Sequence, residues 1–292
     1  MKKTDFDNLL KSNILTTQPG STFGYKTAGG KTYDNYDSNP AFDNFKKDME
    51  ANYPDFFKSY AAGKGSELKE KNGRYGLTPP KMASVASSSR FCYLALRNGA
   101  GALGGTGKVC VEYDRPINQV AGIAPQLDAF IPDSNIYVEV KCHEIFDSHK
   151  IEFRSAYWDW LYGQDNAFGF ETKVKTQEDS FEIPLSVFGI EGSSSKFDIK
   201  QLLCHLMGIA SRSDVCEKAT LVYLFFKPKV KDPKLEKAVE DLFKDLKKEI
   251  KAIFSSAPIK AFTEKYNIEL QAVAEYAEQM EDLRSNNMEK LF

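Results

Sequence analysis

The stretch Gln126–Glu144, QLDAFIPDSNIYVEVKCHE, decides how the rest of the chain is read. Its two arms, QLDAFI and IYVEVK, alternate apolar and polar residues as half-buried strands do. Between them, Pro132-Asp133-Ser134-Asn135 is turn chemistry. With those four residues as the loop, Ile131 faces Ile136, and counting back sets Asp128 opposite Glu139. Directly opposed side chains lie about 4.5–5.5 Å apart at Cβ, where like charges destabilise a sheet. Side chains alternate with period two, so Lys141 shares the face of Glu139, and Val138, Val140 and Cys142 take the other. One face therefore carries two carboxylates and an ammonium. A divalent cation held between the carboxylates accounts for that arrangement.

The rest of the composition narrows the classes. At 292 residues, with 42% hydrophobic and 13% aromatic residues, the chain has room for one large domain with additions and can bury a sizeable core. The formal net charge is −2, so a nucleic-acid partner would need a local basic patch rather than a global field. MKKTDFDNLLKSN has no apolar core of a secretory signal, and no apolar run is long enough to span a membrane, so no membrane partner is expected. Cys92, Cys110, Cys142, Cys204 and Cys216 are odd in number and scattered through apolar segments. That favours reduced, buried thiols in a cytoplasmic protein.

Outward from the hairpin, residues 1–80 read as an N-terminal extension that covers the core or binds substrate. The extension has a short amphipathic start (Phe6, Leu9, Leu10, Ile14), a Gly/Tyr/Asn-rich stretch and a helical pattern from Ala41. A helix is expected over Met82–Arg97. GAGALGGTGK (Gly99–Lys108) formally contains G-x-G-x-x-G, but it follows a helix and precedes a strand, the reverse of a dinucleotide fingerprint. It also lacks the first glycine and the Ser/Thr of a P-loop, and reads as a flexible loop. Val109–Tyr113 is a strand, followed by a turn around Pro116. An aromatic cluster (Tyr157, Trp158, Trp160, Tyr162) precedes the alternating run Ser180–Val187. Asp198 caps a helix over Ile199–Ala210 whose apolar stripe is Ile199, Leu202, Leu203, Leu206 and Ile209, with Gln201 and His205 as neighbours on its flank. Thr220–Phe226, TLVYLFF, is a strand buried on both faces. Beyond Pro233, Leu235, Val239, Leu242, Leu246, Ile250 and Ile253 repeat at helical spacing, and a second helix or pair is expected from Ile259 to about Leu283. The expectation is a C-terminal helical hairpin, packed on the core or serving oligomerisation, as in a homodimer.

From residue 82 to 226 the order is helix, strand, strand, strand, helix, strand. That order resembles the core of the PD-(D/E)XK nuclease superfamily, the restriction-endonuclease-like fold. There an Asp on the second core strand and Glu-x-Lys on the third carry the chemistry; here these would be Asp128 and Glu139-Val140-Lys141. SVASSSRFCYLALRN (Ser84–Asn98) is similar to the Ser-Ser-containing first helix of some bacterial restriction endonucleases. The E-x-K-x-x-E string ending at Glu144 resembles their strands, and KQLLCHLMG (Lys200–Gly208) their helix, where a Gln often supplies a fourth motif. The resemblance covers roughly half the chain and implies an α/β fold with a mixed central sheet. It divides the chain into an extension (1–80), a nuclease core (81–230) and a C-terminal helical element (231–292). One departure is that many members carry an acid on the first helix, and Met82–Arg97 contains none. Glu112 on the next strand could stand in.

What the resemblance implies is a metal-dependent DNA endonuclease, a restriction enzyme among the candidates. Asp128 and Glu139 suit Mg²⁺, with Mn²⁺ able to substitute, since hard ions want carboxylate oxygens and water. The Val140 carbonyl would be a third ligand. Lys141 would position or deprotonate the attacking water and offset charge on the phosphate. Glu144 is the candidate for orienting Lys141, with a solvated acid as its alternative. Gln201 and His205 are candidates for contacting that water or a phosphate, with a polar helix flank as theirs. Ser87, Ser88, Ser89 and Arg90 could meet a backbone phosphate. Trp158 and Trp160 could stack on bases or be buried. Cys142, His143, Asp147 and His149 match no zinc spacing. The rival reading is a catalytically silent nuclease-fold component of a defence complex that only binds nucleic acid or protein.

Overall fold

The computed structural model describes residues 1–18, 20–63, 66–113, 125–162, 166, 168–170, 175–177, 179–211, 217–277 and 281–292. The N-terminal part runs α1 (Lys3–Thr17), β1 (Phe23–Lys26), β2 (Thr32–Asp37), α2 (Asn39–Asn52), α3 (Pro54–Ala62), β3 (Lys71–Gly73) and β4 (Gly76–Thr78). The centre follows with α4 (Ser88–Leu96), β5 (Cys110–Tyr113), β6 (Leu127–Ile131), β7 (Ile136–Lys141), β8 (Glu152–Arg154), α5 (Trp158–Tyr162), β9 (Lys175–Gln177), β10 (Ser180–Glu182) and α6 (Ile199–Ala210). The chain closes with β11 (Ala219–Pro228), α7 (Pro233–Phe254), α8 (Ala257–Lys265), β12 (Ile268–Ala277) and β13 (Met288–Lys290).

The architecture is α/β around a mixed six-stranded sheet, ordered β13-β12-β11-β7-β6-β5. β5, β6 and β7 form an antiparallel meander, while β11 lies parallel to both β7 and β12. A sheet with two covered faces needs apolar side chains on both, and alternation supplies them. Tyr137, Leu221, Tyr223 and Phe225 join α6, α7 and α8 in one cluster. Val138, Val140, Val222, Leu224 and Phe226 join α1 and α4 in the other. The sheet is thus the middle of three layers.

Several expected elements form as the residues dictate. Asp198 caps α6 by accepting the Gln201 N–H at 2.9 Å, and the β6–β7 register pairs Ile131 with Ile136. The helix expected over Met82–Arg97 is shorter. Lys81–Ala83 makes one 3-10 turn, and α4 starts only where the Ser87 hydroxyl accepts the Arg90 N–H at 3.1 Å. The Gly99–Lys108 loop is packed rather than loose. Its Thr106 N–H donates to Ser134 Oγ at 2.8 Å. Gly107, at φ +84°, lies where any Cβ would strike Asp133. Cys92 and Cys142 are buried, Cys110 and Cys204 half-buried, and all four are free. Cys216 and the turn expected around Pro116 lie outside the described residues.

The C-terminal hairpin of helices is corrected. α7 forms as expected, capped by Asp232, but the second helix ends at Lys265 and Ile268–Ala277 is a strand. Ala, Glu, Gln and Leu in IELQAVAEYA favour helix as isolated residues. Ten-residue parallel pairing with β11 overrides that preference. It buries Ile268, Leu270, Ala272 and Ala274 on one face and Val273 and Ala277 on the other. Residues 231–292 therefore contribute to the central sheet itself.

Candidate active site

The β6–β7 ladder ends at the Ala129–Val138 pair, so the next residues, Asp128 and Glu139, stand opposite each other just past it. Asp128 Oδ2 accepts the Val140 N–H at 2.7 Å. The N–H and C=O of one strand residue project to the same side, so the Val140 carbonyl faces Asp128 where the ladder has stopped. Glu139 is 5% exposed and points toward α6. There Gln201 Nε2 donates to Glu139 Oε1 at 2.8 Å, and the Lys141 ammonium donates to the same oxygen at 2.8 Å. Lys141 Nζ also donates to Gln201 Oε1 at 2.5 Å. Gln201 thus clamps both strand residues because the Asp198 cap sets it in the first turn of α6.

These groups open into a cavity of about 350 Å³ lined by Glu67, Glu112, Asp128, Glu139 and Glu144 and by the Ser87–Ser89 start of α4. The charge there is strongly negative. Burial and then the Glu139 carboxylate push the Asp128 pKa well above the usual carboxylate range, against the pull of the Val140 N–H and Lys141. Burial alone would lower the Lys141 pKa, but Glu139 and Glu144 outweigh it and raise it. Glu112 sits on β5 at φ +52°, in the left-handed region that costs a non-glycine residue of order 1–3 kcal/mol. It falls opposite Asp128 in the β5–β6 register, between the Val111–Ala129 and Tyr113–Leu127 pairs.

Asp128, Glu139, Lys141 and Gln201 are therefore brought together. Glu144 shares the cavity but spends Oε2 on the Cys142 N–H at 2.7 Å rather than on Lys141. His205 is buried with Nε2 3.8 Å from Glu139 Oε2, too far for a hydrogen bond, and its ring hydrogen bonds go elsewhere. Its Nε2 meets the Gln126 carbonyl at 3.0 Å and its Nδ1 the Tyr223 hydroxyl at 3.2 Å. Nε2–H toward the carbonyl leaves Nδ1 to accept from Tyr223, and burial lowers the imidazole pKa, so this ring is a neutral structural wedge. Arg90 is likewise committed, in a buried 2.7 Å ion pair with Asp37. Trp158 stacks on Tyr162, with centroids 4.7 Å apart.

Glu67 is the residue the sequence did not announce. It is 2% exposed, pairs with Lys81 at 2.8 Å through Oε1, and leaves Oε2 buried without a hydrogen bond. No periodicity marks it. The Met82 N–H donates to the Glu67 carbonyl, and that non-local contact carries it to the cavity wall.

The donor set fits a hard divalent cation. Asp128 Oδ1 and Glu139 Oε2 accept no hydrogen bond among the described residues, and excess negative charge is buried between them. No group of three or more His, Cys, Asp or Glu side chains among the described residues is assembled as a metal cluster. A magnesium-type site needs only one or two carboxylates, with water and a carbonyl completing it. No family model matches this chain, no curated protein matches it, and no solved structure matches it. Among the described residues no helix is long and apolar enough to cross a membrane.

Proposed function

We propose that this chain is a metal-dependent nuclease of the PD-(D/E)XK kind, hydrolysing phosphodiester bonds in DNA as an endonuclease. The observation that carries the reading is Asp128 opposed to Glu139 across the hairpin, with Lys141 two residues on and tied to Glu139 and Gln201. The order α4-β5-β6-β7-α6-β11, with its antiparallel meander and parallel last strand, supports it.

Asp128, Glu139 and the Val140 carbonyl would hold Mg²⁺ or Mn²⁺. That ion supplies Lewis-acid activation of water and of the phosphate. The protein's own groups do the positioning. A phosphodiester entering so acidic a cavity needs cationic partners: Lys81 lines its wall, paired with Glu67, and Glu139 and Gln201 on its lining are held by Lys141. Two of the Lys141 N–H groups are spent on Glu139 and Gln201, which pins the ammonium. The third is left to orient a water and to offset charge building on the phosphate oxygens. Ser88 and Ser89, at the start of α4, line the wall where non-bridging oxygens would sit.

The test is cleavage of supercoiled plasmid with Mg²⁺ or Mn²⁺ by wild type, Asp128→Ala and Lys141→Ala. Cleavage by wild type only is expected. Equal activity in all three would overturn the assignment. No cleavage by wild type, together with no Mn²⁺ binding at the two carboxylates, would favour a protein that only binds.

A further inference from the structure

Between Glu67 and Lys81 the chain leaves the cavity wall and returns to it. The Lys81 N–H donates to the Ser66 carbonyl at 3.2 Å and the Met82 N–H to the Glu67 carbonyl at 3.0 Å. Glu67 and Lys81 both line the cavity. The excursion is the β3–β4 ribbon, three residues a side, turning through Arg74 and Tyr75. Residues 71–76 are all exposed, and Tyr75, at 83%, is the most exposed large hydrophobic residue among the described residues. A two-stranded ribbon has little stability alone. This one leans on its neighbour, where the Tyr33 hydroxyl donates to the Leu77 carbonyl at 3.2 Å and Glu70 accepts the Ala28 N–H at 3.1 Å. Lys31 lies over the Tyr33 ring, 4.7 Å from its centroid.

The ribbon's chemistry is unlike the rest of a chain with net charge −2. Lys69, Lys71 and Arg74 lie on it and Lys31 beside it, and none of the four makes an ion pair among the described residues. The one acid among them, Glu70, is occupied by Ala28. Gly73 and Gly76, at the base of the turn, keep the tip thin. At roughly 3.4 Å per residue the ribbon is about 10 Å long. The major groove of B-DNA is about 12 Å wide and 8.5 Å deep and admits a two-stranded ribbon.

We propose that the β3–β4 ribbon is the sequence-reading element of this protein: it enters the major groove of duplex DNA, where Arg74 donates to a guanine edge. This rests on the nuclease reading above. The Arg74 guanidinium offers the paired donors that O6 and N7 of guanine accept. It lies against Tyr75, 5.4 Å from the ring centroid, so the ring limits its freedom before binding. Lys31, Lys69 and Lys71 meet the flanking phosphates and set the register without reading sequence. Arg74 is seven residues beyond Glu67. Its reach from the cavity wall is at most about 25 Å. With the Arg74 side chain and the width of the cavity added, the guanine it reads lies within about one helical turn, roughly ten base pairs, of the cleaved bond.

The test is selection from a randomised duplex library, with Ca²⁺ in place of Mg²⁺, by wild type, Arg74→Ala, Arg74→Lys and Lys71→Ala. Wild type is expected to enrich one guanine position, and Arg74→Ala to lose roughly ten- to hundred-fold discrimination there. Arg74→Lys should keep binding but blunt the preference. Lys71→Ala should weaken all duplexes alike and flatten the salt dependence by about one phosphate. A wild type that cleaves plasmid but enriches the same sequences as Arg74→Ala would overturn the ribbon and leave the nuclease standing. So would tighter binding to single strands than to duplexes. A wild type that never cleaves, yet shows Arg74-dependent guanine enrichment, would remove the nuclease and leave the ribbon.

Discussion

The Val140 N–H donates to Asp128 Oδ2 at 2.7 Å across the β6–β7 hairpin. A backbone donor that would otherwise continue the ladder holds a carboxylate instead, and the other oxygen of that carboxylate accepts no hydrogen bond among the described residues. Ladder end and candidate metal site are the same feature, and the first prediction follows from it.

Asp128→Asn keeps an acceptor for Val140 and removes one of two opposed, buried carboxylates. Without divalent cation the variant is expected to melt higher than wild type. With Mg²⁺ or Mn²⁺ the order should narrow or invert, because an ion that binds only the folded state at about a hundred times its Kd adds roughly 2.7 kcal/mol. Differential scanning calorimetry with and without the ion measures both effects. Cleavage should fall by at least about a hundred-fold.

Gln201→Leu deletes the clamp between Glu139 Oε1 and Lys141 Nζ. The loss of two hydrogen bonds to charged groups, with both partners still facing the cavity, should cost about 1–3 kcal/mol of stability. Activity or Mn²⁺ affinity should fall about ten- to hundred-fold, as for other residues that orient a metal ligand. Isothermal titration with Mn²⁺ separates this from simple unfolding.

Glu275 predicts a pH dependence outside the site. It is 1% exposed, and neither carboxylate oxygen completes a hydrogen bond, although the Asn287 side chain and the Arg284 N–H approach. Burial pushes its pKa from 4.5 up to about 7. A pKa raised on folding stabilises the fold fully below 4.5, and that contribution is lost as pH rises toward 7. The loss is on the order of 2–3 kcal/mol. Glu275→Gln should therefore match wild type in urea denaturation at acid pH and exceed it above pH 7. Parallel pH dependences of the two proteins would refute this.

Gly107→Ala tests the seating of the glycine loop on the hairpin turn. The added Cβ would meet the Asp133 carboxylate, and φ +84° is strained for any L side chain. A loss of about 1–3 kcal/mol is expected. Adding Asp133→Ala should recover the steric part and leave the backbone part, and a double-mutant cycle by chemical denaturation measures the split.

Short-range chemistry carried much of this. The alternation of QLDAFI and IYVEVK, the four-residue turn and the Asp198 cap are local, and they set the register that opposes Asp128 to Glu139. Because side chains alternate with period two, that register alone determines that Lys141 shares Glu139's face. Tertiary structure decided the rest. Ile268–Ala277 has the composition of a helix and becomes a strand, because β11 offers it ten residues of parallel pairing and two apolar layers to fill. Glu67 reaches the cavity only through hydrogen bonds between Ser66–Glu67 and Lys81–Met82. His205, four residues from Gln201 and equally polar on paper, spends its ring hydrogen bonds on Gln126 and Tyr223 and comes no nearer than 3.8 Å to Glu139. Local residues determine which way a side chain points along its own strand or helix. Which partner waits there depends on chain segments far away in sequence, and no periodicity encodes them.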